Sequence, residues 1–204
     1  NFGRDAAIWG DTHTAYGGAM RGESRGCILL STNRPIPAIL KKKNYLRRTS
    51  AMKKILFVCL GNICRSPMAE FVMKDLVKKA GLASEFHVES AATSREEIGN
   101  PVYPPAQRKL SEHGISCGGH AARQLTKRDY DEYDLLIGMD QANLRDMYRI
   151  CGGDYAEKMS LLMDHTAHPG NVADPWYTDD FEATWQDVLA GCQGLFKELT
   201  HDKV

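Results

Sequence analysis

Short apolar runs alternate with longer amphipathic segments from residue 52 onward. The first run, at 55–58, is continuous, which is typical of a strand that is buried on both faces of a parallel sheet. Further strands are predicted at 86–89, 134–139 and 159–163. The intervals between these runs are long enough for a helix in each connection.

The first of these intervals carries clear signals for the start and the end of a helix. The pattern predicts a helix over 67–80, with Ser66 as its N-cap and Pro67 at the first helical position. Gly81 is expected to end it. Its apolar stripe is predicted to consist of Phe71, Val72 and Leu76.

Three later segments are also predicted to be helical. One runs from Pro104 to about His113, and a second is capped by Asp140. The last has Asp179 and Asp180 in its first turn, where negative charge is favourable against the helix dipole. Between the last strand and this helix, the sequence predicts a polar loop.

This alternation predicts an α/β fold with a four-stranded parallel sheet and helices on both faces. In such sheets, ligands bind at the carboxyl ends of the strands. The loop after the first strand, the small residues from Ser90 onward and the region of Asp140 all follow such ends. We therefore expect the functional site at this edge of the sheet.

Composition and charge narrow the classes of function. Residues 1–51 carry nine Lys/Arg and three Asp/Glu, whereas the rest of the chain carries seventeen and twenty-three. The mildly acidic globular part argues against nucleic acid as the main partner. No apolar run approaches the roughly 18–20 residues of a membrane span, and the six cysteines do not indicate a disulfide framework. We therefore expect a cytoplasmic protein without membrane attachment.

Residues 1–51 have no periodic apolar face and end in a basic stretch. Three interpretations remain open for this leader: translated sequence upstream of a start at Met52, a disordered basic tail, or a targeting peptide. All three exclude it from the fold. The globular domain is therefore predicted to span 52–204.

The stretch 59–67 reads Cys-Leu-Gly-Asn-Ile-Cys-Arg-Ser-Pro and connects the first strand to the first helix. The first turn of a helix has unpaired N–H groups and a positive dipole end, so the loop that enters it can hold an anion. Gly61 and Asn62 tolerate the left-handed backbone that such a loop needs. We call residues 59–65 the anion loop.

Two side chains of the anion loop predict its chemistry. The positive field of the helix end favours the thiolate of Cys59, and Arg65 can bind two phosphate oxygens through its planar fork. Together they predict attack of Cys59 on a phosphorus atom, with no metal and no cofactor. From residue type alone, Cys59 could equally be a small core residue and Arg65 an ion-pair partner.

The anion loop, together with Asp174-Pro175-Trp176, resembles the low-molecular-weight protein tyrosine phosphatases from about residue 52 to about residue 199. The resemblance implies hydrolysis of protein phosphotyrosine through a phosphocysteine on Cys59. It also implies that Asp174 is the general acid and then the base, because an aryloxide leaves poorly without a proton. An Asp-Pro pair is otherwise a common turn.

The resemblance also implies roles for residues around the loop. Ser66 is expected to hydrogen-bond the sulfur of Cys59, and Asn62 to be held in its left-handed conformation by a polar network with Ser90 and His120. Asp140 is expected to support the loop region, although a helix cap explains it equally well. For His120, a purely structural role stays open.

The expected substrate cleft is formed by the anion loop, including Leu60 and Ile63, and by Trp176 and Tyr177. An aromatic pair there favours an aryl phosphate. Where the family usually has a second aromatic residue, this chain has Glu96, which leaves the substrate preference open. The implied partners are phosphotyrosine-containing proteins, and we expect a monomer.

Two related functions remain as alternatives. Protein-arginine phosphatases of this family carry Thr where this chain has Ile63, which favours tyrosine. Thiol-dependent arsenate reductases use two further redox cysteines close together, whereas Cys117 and Cys151 are well separated here. Cys64 is expected to form a disulfide with Cys59 under oxidation, with a buried small residue as the alternative.

Overall fold

The computed structural model describes residues 52–200, so the interpretations of residues 1–51 lie outside the described residues and stay predictions. Within the described part, the strands form one parallel sheet in the order β2-β1-β3-β4. This confirms the predicted α/β class. The strands are β1 (Lys53–Cys59), β2 (Phe86–Ala92), β3 (Leu135–Gly138) and β4 (Met159–Leu161).

Helices cover both faces of this sheet. In chain order they are α1 (Arg65–Lys79), α2 (Pro104–Glu112), α3 (Lys127–Glu132), α4 (Gln141–Cys151), α5 (Pro175–Thr178) and α6 (Phe181–Thr200), with 3-10 turns at Ala83–Glu85 and Leu162–His165. Within residues 52–200, no helix combines the length and the apolar character that a membrane crossing requires.

The continuous apolar run of β1 is buried on both faces, as predicted. Because side chains alternate along a strand, Ile55 and Phe57 join the cluster formed with α1, α2 and α6, while Leu56 and Val58 join the one formed with α3 and α4. All four are completely buried. Each contributes about 1.5–3 kcal/mol through burial of its side chain. β1 is therefore the shared centre of both layers.

The strand order also places the functional edge. The chain leaves β1 toward β2 on one side and later returns to β3 on the other, so the connections diverge at the carboxyl end of β1. A crevice for ligands forms at such a point. Cys59 ends β1 and Asp140 follows β3 closely, which brings them to the same edge although 81 residues separate them in the sequence.

The prediction of Ser66 as the N-cap of the first helix is wrong. α1 begins at Arg65, the cap position is Cys64, and no side chain caps the first turn. The hydroxyl of Ser66 is instead bonded inside the anion loop. The predicted stripe is also only partly correct, because Phe71 and Leu76 are half-buried. The buried apolar face consists of Met68, Ala69, Val72, Met73 and Val77.

The predictions for the last third of the described chain need three corrections. β4 ends at Leu161, where the backbone N–H donates to Asp164 and begins a 3-10 turn. The loop predicted at 164–178 contains α5. Asp179 and Asp180 precede α6 instead of lying in its first turn, and Asp180 accepts a hydrogen bond from the N–H of Ala183.

α3 was not predicted from the sequence. Its formation depends on a capping box, in which Thr126 accepts from the N–H of Asp129 while the Asp129 carboxylate accepts from the N–H of Thr126. The helix has only six residues and carries a short apolar signal, chiefly Tyr130.

Candidate active site

The sulfur of Cys59 lies at the carboxyl end of β1, buried beneath the anion loop. The backbone N–H of Asn62 donates to it at 3.2 Å, and the hydroxyl of Ser66 lies 3.1 Å away. The loop then enters α1, whose first N–H groups are unpaired by any side-chain cap. Hydrogen-bond donors and a helix N-terminus therefore surround this sulfur, an arrangement that stabilises negative charge.

Asn62 adopts the left-handed backbone, with φ of 59°, and is completely buried. Its amide nitrogen donates to Ser66 at 2.9 Å and to Ser90 at 2.7 Å. Its side-chain oxygen accepts from the N–H of Arg123 at 3.1 Å, and its carbonyl lies 2.8 Å from Nε2 of His120. Four surrounding residues thus compensate for the strain of this conformation.

Gly61 does not use the left-handed region that was expected of it, since only Asn62 does so within the loop. The absence of a side chain matters here for a different reason. A Cβ at Gly61 would lie 3.2 Å from Cγ of Glu97, closer than ordinary carbon contacts. Gly61 therefore allows the segment after β2 to approach the loop.

Glu70 lies beneath this network and was missed by the sequence reasoning. Its carboxylate accepts from the hydroxyl of Ser90 and from Nζ of Lys74, both at 2.5 Å, and lies 3.8 Å from Nδ1 of His120. It is buried, which is unusual for a glutamate. Its position four residues after Ser66, on the buried face of α1, is the signal that could have identified it.

Arg65 is held by two carboxylates. Nη1 lies 2.6 Å from Asp140, and Nη2 lies 2.6 Å from Asp174. Burial works against the charge of Arg65, but its electrostatic interactions with Cys59, Asp140 and Asp174 together raise the pKa of the guanidinium above the ordinary value. The fork therefore stays charged and has a fixed orientation at the base of the site.

Asp140 makes contacts of both kinds that the sequence left open. One oxygen binds Arg65, while the other accepts from the N–H of Asn143 at 2.7 Å and caps α4. The same carboxylate thus ties the carboxyl end of β3 to the anion loop. The separation between the two residues in the sequence concealed this ion pair.

Asp174 is the N-cap of the short helix α5. One of its oxygens accepts from the N–H of Trp176 at 3.1 Å, which leaves the other oxygen to bind Arg65. The side chain of Asp174 is 25% exposed, compared with 5% for Arg65. The carboxylate is therefore ordered by α5 and yet accessible from the mouth of the site.

A cleft of about 260 Å³ opens above these groups. The residues that line it are Cys59, Leu60, Gly61, Ile63, Cys64, Arg65, Glu96, Glu97, Asp174, Trp176 and Tyr177. We call the exposed set of Leu60, Glu96, Trp176 and Tyr177 the rim. The other predicted site residues, Asn62, Ser66, Ser90, His120 and Asp140, lie in the hydrogen-bond network around the loop.

The aromatic part of the rim is supported from one side. The ring of Trp176 lies 5.9 Å from that of Tyr103, which in turn lies 6.2 Å from that of Phe181. Tyr103 also donates its N–H to the carbonyl of Ile63 in the anion loop. Tyr103 was not predicted, and its exposed position in a loop gave no periodic signal.

Cys64 lines the cleft but is buried. Burial, and after it the electrostatic interaction with Cys59, raises the pKa of the Cys64 thiol to about 12. The two thiols of the loop therefore differ in environment. Within residues 52–200, no cluster of three His, Cys, Asp or Glu side chains suitable for a metal ion occurs.

Comparison with known proteins gives a consistent result. A family model described as low molecular weight phosphotyrosine protein phosphatase matches residues 54–204. The chain is 38% identical over 154 residues to the low molecular weight protein-tyrosine-phosphatase YfkJ of Bacillus subtilis, covering 74% of this chain and 99% of YfkJ. It is 40% identical over 156 residues to the human low molecular weight phosphotyrosine protein phosphatase, covering 74% and 98% respectively.

Solved structures show the same similarity in three dimensions. The crystal structure of YfkJ from Bacillus subtilis superimposes with a TM-score of 0.73 at 37% identity, covering 76% of this chain and 99% of that one. The low molecular weight protein tyrosine phosphatase SP-PTP from Streptococcus pyogenes superimposes with a TM-score of 0.66 at 42% identity, covering 72% and 93%.

Proposed function

Since this chain belongs to the low molecular weight phosphotyrosine protein phosphatase family, and is therefore a protein-tyrosine-phosphatase that hydrolyses phosphotyrosine, we propose that it acts in two steps through a phosphocysteine on Cys59. The observation that carries this proposal is the placement of Cys59, Arg65 and Asp174 in one cleft, with Asp174 bonded to Arg65 at 2.6 Å. A nucleophile, an anion binder and a proton donor are the groups that the reaction needs.

In the first step, the thiolate of Cys59 attacks phosphorus while the loop N–H groups and Arg65 bind the phosphoryl oxygens. Those oxygens replace the Asp174 carboxylate on Nη2 of Arg65, and the freed carboxylate takes up the proton that the phosphate monoanion brings into the site, so Asp174 can serve the departing oxygen as an acid. The P–O bond to tyrosine breaks as the P–S bond forms. Asp174 donates its proton to the phenol oxygen, which leaves as the neutral phenol.

In the second step, the same carboxylate takes a proton from water, whose oxygen attacks phosphorus. The P–S bond breaks, inorganic phosphate is released, and the Cys59 thiolate is regenerated. Ser66 assists this step, because its hydroxyl lies 3.1 Å from the sulfur and stabilises the charge that returns to it. No metal and no cofactor take part in either step of this proposal.

The rim favours an aryl phosphate as the substrate. Trp176 and Tyr177 are 62% and 81% exposed, and Leu60 is 46% exposed, so apolar surface is presented where the tyrosine ring of a substrate would lie. The ring lies between such groups while its phosphate reaches Cys59. Within the family, the methyl groups of Ile63 in place of a Thr hydroxyl support tyrosine over arginine phosphate.

The positions of Cys117 and Cys151 argue against an arsenate reductase. Cys151 is buried in the cluster around α3 and α4, whereas Cys117 packs against the cluster on the other face of the sheet. Arsenate reduction by this fold needs further cysteines that can exchange a disulfide with one another, so they must lie close together. These two cysteines lie in different layers of the fold.

Cys64 is proposed to protect the nucleophile. Peroxide oxidises the Cys59 thiolate to a sulfenic acid with release of hydroxide, and attack of the Cys64 thiolate on that sulfur forms a disulfide with release of a second hydroxide. The buried position of Cys64 within the same loop supports this pairing. Further expectations belong to the same proposal: phosphotyrosine-containing protein partners, a cytoplasmic location, a monomeric state, and no membrane or nucleic-acid partner.

The proposal is tested by trapping the intermediate. The purified protein is mixed with a phosphotyrosine peptide, quenched with acid within milliseconds, digested and analysed by mass spectrometry. We expect a phosphoryl group on the peptide that contains Cys59, unaffected by EDTA. Turnover of phosphotyrosine without any phosphoryl group on that peptide would contradict the mechanism, and preferential turnover of a phosphoarginine peptide would contradict the substrate assignment.

A further inference from the structure

Arg123 lies outside the residues that line the cleft, yet its backbone touches the anion loop. Its N–H donates to the side-chain oxygen of Asn62 at 3.1 Å. Its carbonyl accepts from the N–H of Ala92, the last residue of β2, at 2.7 Å. The main chain of Arg123 therefore lies between the end of β2 and the left-handed residue of the loop.

The side chain of Arg123 contacts a separate set of partners. Nη1 donates to Asp129 at 2.9 Å, and Nη2 donates to Glu89 at 3.1 Å and to the hydroxyl of Tyr133 at 3.3 Å. That hydroxyl itself donates to Glu89 at 2.5 Å. We call Glu89, Asp129 and Tyr133 the Arg123 clamp.

The clamp residues come from elements that are fixed independently. Glu89 lies within β2, and Asp129 is held by the capping box of α3, where its other oxygen accepts from the N–H and the hydroxyl of Thr126. Tyr133, which follows α3, is buried. The guanidinium is therefore attached to a rigid frame and has little freedom to move.

The charges within the clamp are mutually satisfied. Burial works against the charge of Arg123, but Asp129, Tyr133 and Glu89 raise the pKa of its guanidinium. For Glu89, burial is outweighed by the hydrogen bond from Tyr133 and by Arg123, which lower the pKa of the carboxyl. Glu89 and Arg123 thus remain ionised together at neutral pH.

We propose that Arg123 is a positioning residue for the proposed phosphatase reaction, because its clamped guanidinium fixes the main chain of residues 120–123 against Asn62 and so holds the anion loop in its binding shape. His120 belongs to the same segment and lies 2.8 Å from the carbonyl of Asn62. The N–H of Arg123 and the imidazole of His120 therefore both act on Asn62, the single residue of the loop with a left-handed backbone.

A substitution of Arg123 isolates this effect. The amide that bonds Asn62 belongs to the backbone and is retained in every variant, and within the described residues no hydrogen bond of the guanidinium reaches the anion loop. Any change at Cys59 must therefore be transmitted through the position of the main chain. Catalysis is sensitive to such shifts, since a misplacement of about 1 Å can cost roughly 10²-fold in rate.

The test compares Arg123→Met with Lys53→Met. Lys53 donates to the carbonyl of Leu199 at 2.5 Å and lies at the opposite end of β1, so this control also removes a cation that joins two elements. We expect kcat for a phosphotyrosine peptide to fall by about 10-fold or more in Arg123→Met, with a smaller change in KM. Lys53→Met is expected to keep both constants.

A second readout does not depend on turnover. Inorganic phosphate should protect Cys59 from alkylation by iodoacetate, and we expect about 10-fold more phosphate to be needed in Arg123→Met than in the wild type. Arg123→Lys, which keeps the charge, should recover part of the protection. This measurement separates the positioning role from the proposed function, which fails on its own if the wild type does not hydrolyse phosphotyrosine.

The proposal is overturned if folded Arg123→Met keeps wild-type kcat and phosphate protection, or if Lys53→Met loses as much of both. Should Arg123→Met fail to fold, Glu89→Gln weakens the clamp more gently, and equal phosphate protection in Glu89→Gln and the wild type would then reject the positioning role.

Discussion

The buried floor of the cleft and its exposed rim are built in different ways. On the floor, Cys59, Asn62 and Ser66 are almost inaccessible, and Asn62 alone bonds five other residues. On the rim, Trp176 and Tyr177 are mostly exposed, and the side chain of Glu96 extends into solvent. The floor is thus constrained at nearly every polar atom, while the rim has few constraints.

This contrast separates chemistry from selectivity. A buried polar network has one satisfied arrangement, so the loss of one member leaves unpaired groups and disturbs the others. An exposed side chain can change with little effect on the fold. We therefore expect changes on the floor to act on kcat by orders of magnitude, and changes on the rim to act on the choice of substrate by small factors.

The largest effect is expected for Cys59→Ser. A serine hydroxyl is not ionised at neutral pH, so kcat should fall by at least about 10³-fold. Because the loop N–H groups and Arg65 remain, binding of inorganic phosphate should persist, which isothermal titration can measure. A variant with kcat close to that of the wild type would remove Cys59 from the mechanism.

Asp174 lies between floor and rim and should show an effect that depends on the leaving group. For a phosphotyrosine peptide, whose phenol has a pKa near 10, Asp174→Asn should slow phosphorylation of Cys59 by about 10²–10⁴-fold. For p-nitrophenyl phosphate, the loss should be smaller, because that phenol needs less help from an acid. Single-turnover rates are the measurement to use, since Asp174 also serves in the second step.

Equal slowing on both esters would assign Asp174 a structural role only. Asp180→Asn is the matched control, because Asp180 is a carboxylate in the same region that accepts from the N–H of Ala183 and does not line the cleft. It should leave both single-turnover rates near those of the wild type.

The pKa of Cys64 predicts a pH dependence for closure of the disulfide. Burial, followed by the electrostatic interaction with Cys59, raises this pKa to about 12, so Cys64 is a neutral thiol at pH 7. Its thiolate fraction grows about tenfold per pH unit below that value, and the closing step should therefore accelerate about 100-fold between pH 7 and pH 9.

This closing rate is measured by a short peroxide pulse, removal of peroxide with catalase, and alkylation of the remaining thiols at intervals. In Cys64→Ser no closure should occur at either pH, and recovery with dithiothreitol should be poorer because Cys59 is oxidised further. A closing rate that is the same at pH 7 and pH 9 would show that the Cys64 thiolate is not the attacking group.

Asn62 tests whether the constraints on the floor serve the chemistry. Asn62→Gly removes the side-chain hydrogen bonds but accepts a φ of 59° without strain. Asn62→Ala removes the same bonds and adds roughly 1–2 kcal/mol of strain. We expect both to lose about 10-fold in kcat, and only Ala to show the additional loss of stability in urea unfolding. A Gly variant with wild-type kcat would show that the side-chain hydrogen bonds of Asn62 do not serve the chemistry.

The sequence predicted the floor well because its signals are local. A continuous apolar run, a loop with Gly and Asn, and an amphipathic helix follow one another within about thirty residues, and each has a single ordinary interpretation. The carboxyl-end rule for parallel sheets then correctly placed Asp140 beside the loop. What local signals could not supply was the pairing of Arg65 with two carboxylates from distant segments.

The failures of the sequence reasoning have the same origin. Ser66 is a good cap by residue type, but its hydroxyl bonds Asn62 and Cys59 instead, and these partners surround it only in the folded chain. The contribution of Arg123 through a backbone N–H has no side-chain signature at all. Glu70 was missed for a different reason, because a local signal for it exists: it lies four residues after Ser66 on α1.

The smallest effect is expected at Glu96, which tests the rim. Glu96 and Glu97 both line the cleft, and in this lining Arg65 is the single cationic side chain and is already bound by Asp140 and Asp174. The mouth of the cleft should therefore favour peptides with Lys or Arg beside the phosphotyrosine. An exposed pair of unit charges about 4 Å apart is worth about 1 kcal/mol in water, so the preference for an Arg-flanked over an Asp-flanked peptide should be only a few-fold.

In Glu96→Gln this few-fold preference in kcat/KM should shrink at low salt, while kcat on p-nitrophenyl phosphate stays unchanged. The preference of the wild type should also weaken as salt rises, because the Debye length falls to about 3 Å at 1 M. Glu132→Gln is the control, since Glu132 is an exposed carboxylate near Lys54 and does not line the cleft. If Glu96→Gln keeps the full preference, or if kcat on the small ester falls with it, the rim and the floor are not separable in the way their exposure indicates.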